Sequence, residues 1–195
     1  MGWILPLVGF SFVSSVTPGP NNILLWASGA QFGFVRTLPH VIGTALGLGA
    51  MTLAVAAGLT AIVTSAPQVA FAMKLAGSVY LLYLAYQIAG ANALQRGVVG
   101  RPLGLLQAAA FQLINPKAWI FALGAITTFR PAELATLAGG LLVAVTMMVV
   151  IVPSAAIWVA GGDLLNRLIE GNRSRRATSV ALAAVVVATV VSAWL

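Results

Sequence analysis

Ser14-Ser15-Val16-Thr17-Pro18-Gly19-Pro20-Asn21-Asn22-Ile23-Leu24-Leu25-Trp26 interrupts a hydrophobic run that would otherwise read as one membrane helix. Proline removes a backbone donor and clashes with the preceding turn, while glycine admits backbone angles closed to other residues. In hydrocarbon, each freed backbone group costs several kcal/mol unless protein or a water-lined cavity satisfies it. A Pro-Gly-Pro break inside a span is therefore expensive, which predicts that it serves a function.

The rest of the chain places this break in a membrane. Of 195 residues, 61% are hydrophobic and only 7% charged, and the mean hydropathy is +1.03. Too few polar groups remain to cover a soluble domain. No segments of about ten residues alternate in polarity as barrel strands do, so the expected fold is an all-α integral membrane bundle. Cysteine is absent, which excludes disulfides, thiolate metal sites and a cysteine nucleophile. Neither a metal nor a cofactor is expected. The net charge of +7 is dispersed between hydrophobic spans, a pattern of topology signals rather than of nucleic-acid binding. The start, Met1-Gly2-Trp3-Ile4-Leu5-Pro6, has no basic segment before its apolar stretch, so the first helix is expected to be retained.

Hydropathy and breakers predict six spans in one domain, near residues 3–32 (broken at Pro18–Pro20), 39–63, 69–90, 104–128, 133–160 and 177–195. With an outside N-terminus, the inside connections hold Arg36, Arg96, Arg101, Arg167, Arg173, Arg175 and Arg176, seven of the ten basic residues. The opposite side holds Arg130 in a loop, with Lys74 and Lys117 within or at the edge of spans. The positive-inside rule thus predicts both termini outside the cytoplasm.

The chain also reads as two halves, 1–98 and 99–195. Pro18 and Pro116 lie 116 − 18 = 98 residues apart, and the segments opening at Lys74 and Arg175 lie 175 − 74 = 101 apart. Three spans per half is odd, so the halves would cross the membrane in opposite senses. Many secondary transporters have this inverted-repeat plan, with sites near the midplane between broken helices.

The breaks carry candidate chemistry. Thr17 is placed to cap the half-helix that restarts after the first break, and Pro20 suits its first turn. Asn21 and Asn22 follow at the positive end of that half-helix. In the fourth span Asn115 reads as the cap, Pro116 as the first helical residue, and Lys117 comes next. Two helix N-termini, amides and one ammonium suit an anionic group such as a carboxylate. Gln112, Asn115 and Trp119 recur at helical spacing and predict one polar-aromatic face. A packing kink explains a single membrane proline equally well. Two breaks half a chain apart, each with Asn attached, favour a substrate site, and a lysine in mid-span is functional by default.

Other features have plainer readings. Gly43, Gly47, Ala50, Ala54, Ala57 and Gly58 form a small-residue stripe for close helix packing, within the chain or in a homodimer. His40 reads as interfacial, with a proton relay as the alternative. For Tyr80, Tyr83 and Tyr86 packing is preferred over lining a path. The three acids, Glu133, Asp163 and Glu170, lie at or beyond span ends. Asp163 is the best acidic candidate for a proton step, against a slightly preferred solvated helix-end charge. A site for a lysine-like substrate would need a buried carboxylate, and none is evident.

Thr17-Pro18-Gly19-Pro20-Asn21-Asn22, followed by a hydrophobic half-helix, resembles the signature of the LysE/RhtB amino-acid exporter family. Lys74-Leu75-Ala76-Gly77 with Tyr80-Leu81-Leu82-Tyr83-Leu84, and Asn115-Pro116-Lys117, match in order, so the resemblance covers essentially the whole chain. Phe111-Gln112-Leu113-Ile114-Asn115, with Thr127-Thr128-Phe129 after it, looks most like the cysteine and O-acetylserine exporter branch. The resemblance implies a bacterial inner-membrane exporter driven by the proton gradient, with Pro18, Gly19, Pro20, Asn21, Asn22, Asn115, Pro116 and Lys117 in its two motifs. The expected substrate is a small neutral amino acid such as cysteine, O-acetylserine, homoserine or threonine. Rival readings are a basic amino-acid exporter and a non-transporting channel or subunit. An enzyme is disfavoured: one His, no Cys and no intramembrane acid cluster nearly exclude metal-dependent hydrolysis, and no local pattern supports a Ser–Lys pair using Lys117. No phosphate loop is present, so ATP hydrolysis is not expected.

Overall fold

A computed structural model describes residues 2–59, 65, 67–90, 101–168 and 172–194. These residues form eight helices: α1 (Ile4–Val16), α2 (Pro20–Phe32), α3 (Phe34–Ala56), α4 (Pro67–Ala89), α5 (Leu105–Ile114), α6 (Pro116–Phe129), α7 (Thr136–Leu168) and α8 (Asn172–Trp194). No strand occurs among the described residues. Arg96 and Glu170, both named above, lie outside the described residues.

The first expected span is α1 and α2, separated at Thr17, Pro18 and Gly19. Thr17 is extended (φ −60°, ψ 141°), as a residue before proline must be, and this ends α1. Pro20 then occupies the first turn of α2, where its missing N–H is no loss. The fourth expected span likewise divides into α5 and α6 at extended Asn115, with Pro116 in the first turn of α6. The two halves of that span meet at 79°. Pro116 thus opens α6 as Pro20, not Pro18, opens α2.

Two other span ends moved for identifiable reasons. The second starts at Phe34 rather than 39, because Gly33 (φ 79°) alone makes the turn out of α2. That left-handed region is open mainly to glycine. The fifth extends to Leu168, since a 33-residue helix is about 50 Å long and its end projects past the hydrocarbon.

Phe34–Ala56 and Thr136–Leu165 are long and apolar enough to cross a membrane alone, and the bent α5–α6 pair makes a third candidate. Outward-facing side chains are apolar: Leu5, Val35, Leu106, Ile120 and Val149 are exposed, while Asn21, His40, Gln112 and Asn115 are buried. In lipid this distribution is favourable, because the outside needs no polar cover and the polar groups find partners within.

Helices are exchanged between the halves. α7 packs along α1, α2 and α3, α3 packs against α5 and α6, and α4 pairs with α8. Each broken pair is thus held by the long helix of the other half. One apolar cluster joins α1, α3, α6 and α7 through Leu7, Leu48, Met51, Phe121, Val143 and Met147. A second joins α2, α4, α5 and α8 through Ile23, Leu84, Phe111 and Val186.

Part of the small-residue stripe is used internally. A Cβ on Gly43 would strike the Leu105 carbonyl, and one on Gly47 would lie 2.6 Å from the Ala109 backbone, so α3 and α5 touch through backbone. The far end of the stripe, Ala57 and Gly58, is exposed.

Candidate substrate site

The two breaks meet. A cavity of about 40 Å3 lies between them, with Gly19, Asn21, Asn22, Gln112, Asn115 and Lys117 among its walls, and Leu48, Phe121 and Ile151 as its apolar side. Its volume holds a few waters at roughly 10–15 Å3 each. Admitting an amino acid requires the walls to part.

Each polar wall has a definite role. Asn22 Nδ2 donates to the carbonyls of Ser15 (2.6 Å) and Thr17 (2.8 Å), satisfying groups that the end of α1 leaves open. Both amide hydrogens of Asn22 are thereby engaged within the break. Lys117 reaches across from the other half: Nζ donates to the Thr17 carbonyl (2.5 Å), Thr17 Oγ1 (2.9 Å) and the Pro18 carbonyl (3.4 Å). Gly19 makes room for it, since a Cβ there would lie 2.7 Å from Lys117 Cδ.

Thr17 does not cap α2, as the sequence led us to expect. The capping position belongs to Gly19, which offers no side-chain hydrogen bond. Thr17 Oγ1 instead turns back to donate to the Ser14 carbonyl at 2.9 Å. Asn115 does occupy the cap position of α6, but its side chain makes no capping bond.

Asn21 heads a second network. Its Oδ1 accepts from Gln112 Nε2 (3.2 Å) and Thr44 Oγ1 (3.3 Å), and His40 Nε2 lies at 3.4 Å. Gln112 Oε1 in turn accepts from Asn115 Nδ2 at 3.2 Å. A continuous polar chain therefore runs from the second break through α5 to the first break and α3, all of it buried. Asn115 Oδ1 is buried without a partner. An orphaned acceptor in a low-dielectric interior is costly and marks a place where a donor can bind.

Other expected residues lie apart. Trp119 does not share a face with Gln112 and Asn115, because the bend at Asn115 ends the helical spacing between them. Its Nε1 donates to the Leu113 carbonyl at 2.8 Å. With Pro116 and Lys74, Trp119 borders a separate, largely apolar cavity of about 390 Å3 between α4, the second break and α8. Tyr83 and Tyr86 are exposed, and Tyr80 packs on Phe111 at 5.6 Å between ring centres. Asp163 sits near the end of α7, ion-paired with Arg167 at 2.9 Å. His40 is fully buried rather than interfacial.

Sequence reasoning passed over Thr44 and Thr37. Thr37, His40 and Thr44 follow one another at i, i+3 and i+7 on α3, a polar stripe on a membrane helix that was there to be read.

The family model of the LysE type translocator matches residues 12–192. The chain belongs to that family. This translocator is 26% identical, over 159 residues, to the cysteine/O-acetylserine efflux proteins of Escherichia coli (strain K12), Shigella sonnei (strain Ss046) and Shigella flexneri, covering 82% of this chain and 82% of each relative. No solved structure matches it. The matched residues take in both breaks and every wall of the cavity.

Proposed function

We propose that the chain is a secondary exporter of small neutral amino acids or their derivatives, of the cysteine and O-acetylserine kind, working in a bacterial inner membrane in exchange for protons. The observation that carries this reading is the meeting of two half-helix N-termini, four buried amides and one ammonium at a single cavity between the halves.

Each group has a matching role. The substrate carboxylate would take the Lys117 donors now spent on Thr17 and Pro18, with the positive ends of α2 and α6 behind it. The substrate ammonium would donate to the unpartnered Asn115 Oδ1. Among the described residues no wall of the cavity is a carboxylate, which supports a neutral over a dibasic side chain.

Transport would proceed by rocking of the halves, which we read as inverted repeats. The exchanged packing of α3 and α7 supports this, since each long helix grips the other half's break. Both termini would face away from the cytoplasm, because Arg36 in the first turn of α3, Arg101 before α5 and Arg167 in the last turn of α7 gather at one end. There Gly33 meets Asp163, and Phe32 shares a cavity with Arg101.

The deciding experiment is efflux from overproducing cells loaded with labelled cysteine, threonine, lysine and arginine, with and without an uncoupler. Selective, uncoupler-sensitive loss of a neutral amino acid is the expected result. Export of lysine or arginine would overturn the neutral assignment. No efflux of any of them would leave a channel or subunit.

A further inference from the structure

His40 stands between two cavities. Above it, Asn21 is a wall of the central cavity and contacts His40 Nε2 through Oδ1 at 3.4 Å. Below it, His40 is itself a wall of a second cavity of about 20 Å3, room for about one water. Ser28, Gln31, Phe32 and Arg101 share that cavity, which places it at the arginine-bearing end of the bundle. The ring is fully buried, and Nδ1 has no hydrogen-bond partner.

The tautomer follows from the neighbours. Asn21 Oδ1 can only accept, and it already receives Gln112 and Thr44, so a hydrogen at His40 Nε2 completes the arrangement. Nδ1 is then a bare lone pair, able to take a proton. Among the described residues the groups around the ring are few. From α2 they are Asn21 and Ser28, from α5 Gln112, and on α3 itself Thr37 and Thr44, all neutral. The α7 face against this part of α3 is apolar, Ala155 and Val159. The charged groups nearby are Arg101 across the small cavity and Arg36 one turn earlier on α3, with Asp163 beyond Gly33 and held by Arg167.

We propose that His40 carries the proton exchanged for substrate, loading at its free nitrogen when the central cavity is open and unloading into water of the arginine-end cavity when that side opens. On loading, a hydronium ion in the opened central cavity gives its proton to the ring, an O–H bond breaking as the N–H forms. On release that N–H breaks as a water of the arginine-end cavity takes the proton, the ring passing from neutral to imidazolium and back. Asn21, a wall of the central cavity, links the ring through Gln112 to Asn115 at the second break. This assignment rests on the exporter reading above, and the test separates the two.

Purified full-length protein is reconstituted in liposomes, and two quantities are measured with labelled cysteine, or with labelled threonine if the efflux panel selects it. The first is counterflow of label against unlabelled substrate. The second is accumulation driven by a pH gradient, with an internal pH dye following the proton. His40→Gln keeps a neutral hydrogen-bonding side chain but cannot be protonated. It should keep counterflow and lose both gradient-driven accumulation and the dye signal. If His40→Gln still accumulates substrate on a pH gradient, the assignment is wrong. Loss of counterflow as well, in a variant that remains monodisperse, would overturn it in favour of a packing or substrate-binding role. If the wild type shows counterflow without proton movement, the exporter stands and the His40 assignment falls. If the wild type shows no counterflow, both fall. Should His40→Gln not yield folded protein, His40→Asn is read by the same criteria.

Discussion

The two breaks have the same outline but opposite internal arrangements. Each has an extended residue before a proline that opens a half-helix. At the first, the freed carbonyls of Ser15, Thr17 and Pro18 all receive donors, from Asn22 within the break and from Lys117 outside it. At the second, the Asn115 side chain reaches back to Gln112, and its Oδ1 is left without a partner. One break is closed by its neighbours and the other keeps an open acceptor. Substrate recognition therefore divides between a cation that must release its present partners and an acceptor that waits for one.

Lys117→Ala is the strongest way to break this comparison. It removes the only cation among the described walls of the cavity, strips Thr17 Oγ1 and the Pro18 carbonyl of their donor, and leaves the Thr17 carbonyl to Asn22 alone. Losing one partner of a desolvated charge pair costs about 2 kcal/mol or more, at least about a thirtyfold rise in KM or loss of measurable transport. Unchanged counterflow would remove Lys117 from the carboxylate site. Lys117→Arg should not restore full activity, because the space opened by Gly19 fits a narrow stem.

Packing around the first break supplies the next effect. A Cβ on Gly162 would strike the carbonyl of Trp26, and one on Gly29 that of Val159, so α2 and α7 cross backbone to backbone. Gly29→Ala or Gly162→Ala should destabilise the protein by about 1–3 kcal/mol through overpacking, read as a lower thermal midpoint in detergent. Gly9→Ala is the control: nothing lies within 4 Å of its Cβ position, and alanine favours the helix. Equal midpoints for all three would refute the close crossing.

Asn22→Ala and Asn115→Ala then sharpen the contrast between the breaks. Asn22→Ala uncovers the Ser15 carbonyl, removes one of two donors to the Thr17 carbonyl, and should cost about 1–3 kcal/mol of stability. Asn115→Ala removes an orphaned acceptor along with one bond to Gln112. Its stability cost should be smaller, about 0.5–1.5 kcal/mol, with the larger change in substrate KM. The reverse ranking would mean that Asn115, not Asn22, holds its break together.

How far these features were legible depends on whether one segment or two were needed to see them. The breaks, both half-helix prolines and the all-helical class follow from local rules, because proline, glycine and hydropathy act on the chain that carries them. The cap at Thr17 did not follow: Gly19 takes that position, and Lys117, 100 residues away, claims the hydroxyl. Trp119 was misplaced because helical spacing was carried across a 79° bend. Gly29 and Gly162 look like any membrane glycines until the partner helix is known. The stripe Thr37, His40 and Thr44 was legible, and it is the one local signal left unread.

The smallest effect concerns Asp163. It and His40 were the two residues with a possible proton role, and their surroundings differ sharply. His40 is enclosed, with a free nitrogen between two cavities, whereas Asp163 is bridged by both Nε (3.3 Å) and Nη2 (2.9 Å) of Arg167 one turn on. The arginine side chain is 72% exposed, so solvent screens the pair and its worth is about 0.3–0.5 kcal/mol. Both carboxylate oxygens are thus taken up by Arg167 at the end of α7, and Asp163 is not a wall of the central cavity. Asp163→Asn should leave the thermal midpoint and pH-gradient-driven accumulation close to wild type. Loss of accumulation in that variant, with counterflow intact, would move the proton step from the centre of the bundle to the end of α7.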